Sequence, residues 1–207
     1  MKKLVCFGDS NTYGYIPAVG GRYDAGTRWT GLLQSLLPEY EVVEAGLNGR
    51  TTVFEDEKSP DRNGSRALEA IMRENADAEC YIIMLGTNDC KIKFHNDAST
   101  IAGGMEILIS QLRLFDSSVK CIIIAPPCMT REAAVTDMDF DTESVRVSAQ
   151  LEPLYRRLAL QNGCGFIPAC SFIQPDSSDG VHLSPEGHRI LARLVHDYLT
   201  SDEYSLL

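Results

Sequence analysis

Short apolar runs alternate along the chain with longer stretches in which apolar residues recur every three or four positions. The first run, residues 4–7, is apolar throughout, which predicts a strand buried on both faces rather than one with a wet side. Further strands are expected at 40–44, 80–85, 119–125 and 165–168. Helical spacing appears between them: Leu32, Leu33, Leu36 and Leu37; Leu68, Ile71 and Met72; then Ile101, Met105, Leu108, Ile109, Leu112 and Phe115, with Asn96 and Asp97 as candidate caps. A pattern from Glu143 to Leu160 puts Leu151, Leu154, Tyr155 and Leu158 on one face, and Pro153 within it demands a kink or a later start. Ser184 and Pro185 open a last helix with Ile190, Leu191, Leu194, Val195, Tyr198 and Leu199 on its apolar side. Residues 13–26, 53–64 and 128–141 lack periodicity and read as loops. Strands alternating with helices predict an α/β fold with a five-stranded parallel sheet covered on both faces. No linker or repeat divides the chain, so residues 1–207 are expected to form a single domain.

In such a sheet the carboxyl ends of all strands lie on one edge, where ligands bind. Polar turns sit at these ends: Gly8-Asp9-Ser10 after the first strand, Gly49 after the second, Asn88 after the third, and Asp179-Gly180-Val181-His182 after the fifth. Taken singly, each has a plain structural reading. Ser and Asp are preferred helix caps, Gly49 fits a positive-φ turn, and Asp9 and Asp89 read as turn residues. His95, His188 and His196 read as solvated or half-buried histidines, and Met105 as core. Together they supply a nucleophile in Ser10, a base in His182 and an orienting acid in Asp179. The backbone N–H groups of Ser10 and Gly49 and the side-chain amide of Asn88 are the candidate oxyanion hole.

In order and spacing, Gly8-Asp9-Ser10, Gly49, Gly86-x-Asn88-Asp89 and Asp179-x-x-His182 resemble the four blocks of the SGNH, or GDSL, hydrolases. Residues 8–14, 28–31, 44–47, 50–52 and 84–91 are similar to the arylesterase and acyltransferase branch. The resemblance implies a flavodoxin-like three-layer sandwich, no metal or other cofactor, and ester hydrolysis through an acyl-serine. In some members it also implies acyl transfer to an alcohol. Asn11 stands where the family's short name has leucine.

A net charge of −10 argues against a nucleic-acid partner, and no apolar stretch approaches membrane-spanning length. Seven cysteines without a Cys-x-x-Cys pair, several of them in apolar runs, point to buried free thiols and a reducing, cytoplasmic setting. His182 and His188 lack further ligands at metal-binding spacing, and no Walker A motif appears. The expected function is therefore hydrolysis of short-chain, acetyl-type esters, with a small ester as ligand. Acyl transfer to alcohols or sugar hydroxyls, or a non-catalytic small-ligand binding module, are the alternatives. Tyr13, Trp29, Phe54 and Pro126 are the candidate pocket wall, and the loops at 13–26 and 128–141 are candidates for a homo-oligomer contact.

Overall fold

Five parallel strands form the centre of the computed structural model, which describes residues 2–205 and 207. Along the chain run β1 (Lys2–Gly8), the single turn α1 (Ser10–Tyr13), α2 (Trp29–Leu36), β2 (Tyr40–Gly46), α3 (Gly64–Glu74), β3 (Cys80–Met84) and α4 (Ala98–Phe115). Then follow β4 (Lys120–Ala125), α5 (Ala133–Thr136), α6 (Thr142–Ser148), α7 (Leu151–Gln161), β5 (Gly165–Pro168), α8 (Ala169–Phe172), α9 (Pro185–Leu199) and α10 (Asp202–Ser205). The strand order is β2-β1-β3-β4-β5, every neighbouring pair parallel. The order reverses direction at β1, so the ends of β1 and β3 flank the switch point at which open α/β sheets form their crevice.

Alternate residues of the central strands feed opposite layers. Val5, Phe7, Tyr81, Ile83, Cys121 and Ile123 pack with α3, α4 and α7 through Leu68, Ile101, Met105, Leu108, Leu112 and Tyr155. Leu4, Cys6, Ile82, Met84, Ile122 and Ile124 pack with α2 and α9 through Trp29, Leu33, Leu191 and Val195. That double burial is why the central strands are apolar at every position, and each fully buried aliphatic side chain contributes about 1.5–3 kcal/mol. β2 lies at the edge and is mostly half-buried. Its outer rim is closed by a side chain: Gln34 donates to the Tyr40 carbonyl (2.9 Å) and accepts from the Val42 N–H (2.9 Å).

Three details depart from the sequence pattern. Phe115, the last residue of α4, is 43% exposed, because the helix ends as it leaves the sheet. The pattern from 143 to 160 is two helices, α6 and α7, and Pro153 lies in the first turn of α7, where its missing N–H leaves no bond unmade. Cys128 and Cys170 form a disulfide that ties the loop after β4 to α8, while Cys6, Cys80, Cys90, Cys121 and Cys164 are free and buried. The bridge removes the cysteine-based argument for a reducing, cytoplasmic setting. Among the described residues no helix is long and apolar enough to cross a membrane.

Glu44 anchors the 14–28 loop to β2. Its carboxylate accepts from Nε and Nη2 along one edge of the Arg28 guanidinium (2.5 and 2.7 Å), from one Arg22 nitrogen (2.6 Å) and from the Thr30 hydroxyl (2.7 Å). Burial works against ionisation of Glu44, but these donors outweigh it and hold the carboxyl below its ordinary range. At the end of β2, Gly46 lies so close to α1 that a Cβ there would stand 2.3 Å from the Tyr13 nitrogen and 2.6 Å from the Thr12 carbonyl carbon. Gly46→Ala must therefore push α1 off the sheet. The expected cost is at least about 1–3 kcal/mol, read as a lower urea midpoint with unchanged slope.

Candidate active site

Asp9 ends β1 and caps α1, its Oδ1 accepting the Asn11 N–H at 3.0 Å. Because Asp9 does the capping, Ser10 is the first helical residue and its hydroxyl is left for another partner. That partner is His182: Ser10 Oγ lies 3.0 Å from His182 Nε2, and His182 Nδ1 lies 2.8 Å from Asp179 Oδ2. Asp179 also accepts the backbone N–H groups of Val181 and His182, each at 2.9 Å. Its partial burial pushes the carboxyl up, but the bonds from His182 and Val181 prevail and leave it below the usual carboxylate range. An ionised carboxylate only accepts, so Nδ1 carries the imidazole proton and Nε2 accepts from Ser10.

The loops at the ends of β2 and β3 close the other side. Gly49 has φ +80° and Asn88 Nδ2 donates one hydrogen to the Arg50 carbonyl at 3.1 Å, which orients the amide and leaves its second hydrogen for the cavity. Among the described residues, the N–H groups of Ser10 and Gly49 donate to no protein acceptor. Ser10, Gly49, Asn88 and His182 line one cavity of about 170 Å³, completed by Tyr15, Asn48, Lys91, Asp137, Phe140 and Val181. This arrangement can activate a hydroxyl toward a carbonyl and meet the resulting oxyanion with fixed donors. Among the described residues no group of three or more His, Cys, Asp or Glu side chains is placed to hold a metal ion.

None of the four residues expected as pocket wall lines this cavity. Trp29 is fully buried in the core layer under α2, its indole N–H bonded to the Asn11 carbonyl at 3.2 Å. Tyr13 lies under the Arg22 guanidinium, 4.8 Å from ring to cation, and Phe54 packs on Phe94 at 5.9 Å. Pro126 is buried at the end of β4. The aromatic wall is Phe140 and Tyr15, the latter's ring 4.5 Å from the His182 imidazole; the left-handed turn at Gly14 (φ +87°) separates Tyr15 from Tyr13. His188 is fully buried rather than half-solvated: Nδ1 accepts the Trp29 N–H at 3.3 Å, and burial pushes its pKa down to about 4.

Asn11 has a role that motif reading missed, while Asp89 bridges turns, as its place in a turn led us to expect. The buried Asn11 amide donates to the Val181 carbonyl (3.2 Å) and accepts the Leu183 N–H (2.9 Å), gripping the backbone on both sides of His182. Asp89 Oδ1 accepts both the N–H (2.9 Å) and the hydroxyl (2.5 Å) of Thr52, binding the loop that carries Gly49 to the turn that carries Asn88. Burial pushes Asp9 up to about 6 and Asp89 up to about 7, while burial lowers Arg50 to about 10. The signal for Asn11 was its departure from the family's leucine, which no apolar neighbour explained.

Residues 6–190 match the GDSL-like lipase/acylhydrolase family, and the chain belongs to it. It is a carboxylic ester hydrolase of that family. Among solved structures, a carbohydrate acetylesterase family member from Sinorhizobium meliloti is 34% identical, with a TM-score of 0.91 over 96% of this chain and 97% of that one. The inhibitor-bound aryl esterase of M. smegmatis is 30% identical, with a TM-score of 0.90 over the whole of both chains. A lipase/acylhydrolase from Enterococcus faecalis, 19% identical with a TM-score of 0.67 over 96% of this chain and 95% of that one, shares the fold. No curated protein matched the sequence.

Replacing Asn11 by leucine removes both bonds to the 181–183 segment while keeping the branched heavy-atom skeleton. The expected result is a kcat on an activated acetate ester lower by roughly tenfold to a hundredfold, with KM within about a factor of two. A KM effect without a kcat effect would contradict that role. Asp89 gives a separate expectation in pH. A carboxyl whose pKa rises from 3.8 to about 7 on folding holds its proton more tightly when folded, so its contribution is greatest at low pH and is lost as pH rises through that interval. Asp89→Asn keeps an acceptor for Thr52 and cannot ionise. Its melting temperature should therefore gain on that of the wild type between about pH 5 and about pH 8, a difference from which the opposing titration of His188 cancels.

Proposed function

We propose that the chain is a serine esterase acting on short acyl esters, with Ser10 as nucleophile, His182 as general base and acid, and Asp179 as its orienting partner. The observation that carries this reading is the unbroken Ser10–His182–Asp179 hydrogen-bond chain facing the same small cavity as Gly49 and Asn88. Ser10 Oγ attacks the ester carbonyl carbon as its proton passes to His182 Nε2, and Asp179 stabilises the imidazolium. The carbonyl oxygen, now negative, accepts from the N–H groups of Ser10 and Gly49 and from Asn88 Nδ2. Collapse expels the alcohol, which takes the proton from His182, and water then repeats the sequence on the acyl-serine.

A cavity of about 170 Å³ favours acetyl-sized acyl groups, and the acetylesterase name of a structural neighbour points the same way. Ser10→Ala is expected to lower kcat on 4-nitrophenyl acetate by at least about a thousandfold, and Asn88→Ala by about a hundredfold to a thousandfold. Covalent labelling of Ser10 by an organophosphonate separates this reading from a binding module, which would not react. Ser10→Ala with full activity would sink the proposal.

A further inference from the structure

Beside the catalytic cavity lies a second one of about 240 Å³, lined by Ile92, Asn96, Asp141, Ser144 and Val147 among others. Among the described residues, Lys91 alone lines both. Its Nζ is held by Asp139 at 2.8 Å and stands 5.8 Å from the centre of the Phe140 ring, so the stem crosses between the two spaces with only 16% of the side chain exposed. The backbone repeats the strap, since the Ile92 N–H donates to the Asp139 carbonyl at 2.9 Å. Successive residues of this strand of loop face opposite sides: Phe140 lines the catalytic cavity, and Asp141 lines the neighbouring one.

From this geometry we infer that the Lys91 side chain, strapped to Asp139, is the wall that limits the length of the acyl group accepted at Ser10. Lys91 lies three residues after Asn88 on the same turn, hence on the oxyanion side of the cavity. The leaving alcohol must face His182, which protonates it, so the wall at Lys91 meets the acyl chain. The inference rests on the esterase reading and adds a specificity-determining residue to it. Val147, Ile92 and Cys90 are the apolar members of an otherwise polar lining that includes Asp97 and Glu143, and are the surface a short alkyl chain would meet once the stem is gone.

The test compares kcat/KM for 4-nitrophenyl acetate, butyrate and hexanoate in the wild type, Lys91→Ala and Lys91→Met, with folding checked by circular dichroism. The readout is the hexanoate-to-acetate ratio within each protein, so a change in overall rate cancels. The wild-type ratio should be well below one. Lys91→Ala should raise it at least about tenfold, the scale on which a pocket discriminates added methylenes, and Lys91→Met, which keeps the stem, should stay within about threefold of the wild type. A wild type that cleaves hexanoate as readily as acetate overturns the inference whether or not the variants fold. So does an unchanged ratio in Lys91→Ala, an equal rise in both variants, or loss of all hydrolysis in a folded variant, since a wall is not needed for the chemistry. A wild type that cleaves no ester removes the esterase reading instead, and the inference with it.

Discussion

The contact on which the site depends is the grip of one buried amide, Asn11, on the backbone either side of His182. Ser10 and His182 are 172 residues apart, and each sits on a turn rather than inside a strand or long helix. A hydroxyl and an imidazole brought together only by the general packing of the sheet would drift by more than a hydrogen bond tolerates. Asn11 is adjacent to Ser10 and is itself held, since its carbonyl takes the Trp29 indole N–H from the core layer. The chain of constraint thus runs from the packed α2 layer, through Trp29 and Asn11, to the loop that carries His182. A leucine at this position would pack but could not specify where residues 181–183 lie, because burial is non-directional and hydrogen bonds are not.

The far side of that loop is secured by different means. The Thr130 N–H donates to the Gly180 carbonyl at 3.0 Å, and the Thr136 hydroxyl to the Asp179 carbonyl at 3.1 Å, so the segment after β4 buttresses the loop that carries Asp179 and His182. That segment is in turn joined to α8 by the Cys128–Cys170 bridge. At the end of β1, just before Ser10, Arg50 donates to the carbonyls of Gly8 (2.7 Å) and Ala45 (2.5 Å), satisfying the ends of two adjacent strands where the ladder stops. Asp9 interacts with its charge and Asp89 with that of Asp9, both buried, each with one oxygen that has no hydrogen-bond partner among the described residues. Two buried carboxyls held partly neutral, one of them near a guanidinium, cost stability that an apolar core would not, which is the expected behaviour of polar groups placed for a site rather than for the fold.

The layers were legible in the sequence because they follow from periodicity. Residues 4–7 and 80–85 are apolar at every position since helices cover both faces, and α4 and α9 show their buried stripes at helical spacing. Ser10, Asn88, Asp179 and His182 were legible as a group because a parallel sheet delivers all strand ends to one edge, and the structure brings Ser10, Asn88 and His182 to one cavity together with Gly49, with Asp179 hydrogen-bonded to the far side of His182. What stayed hidden lacks a period. Tyr15 and Tyr13 differ by two residues in a loop, and only the left-handed backbone at Gly14 decides which meets the imidazole. His188 sits on a helix with polar neighbours, and its burial depends on Tyr23, whose ring meets it edge-on at 5.3 Å from a loop with no regular structure. The Cys128–Cys170 pairing joins positions whose proximity is set by the ends of β4 and β5, not by their spacing.

The same distinction separates what the reaction needs from what the substrate must be. Ser10, Gly49, Asn88, Asp179 and His182, the residues to which we assign the chemistry, are tied to strand ends, and the sheet register fixes strand ends. The walls of the cavity come from the 14–28 loop, held to β2 by Glu44, and from the 126–141 segment, held to the oxyanion turn by Lys91 and Asp139. The first loop is fastened to β2 by Glu44, the second by the Lys91–Asp139 pair, the Thr130 and Thr136 bonds to residues 179–180 and the Cys128–Cys170 bridge, and neither is a rung of the sheet. A change of sequence between these fastenings can therefore alter the shape of the cavity while Ser10, His182 and Asp179 keep their distances. Chemistry and selectivity are mechanically separable in this fold, and the fastening points are where the two meet.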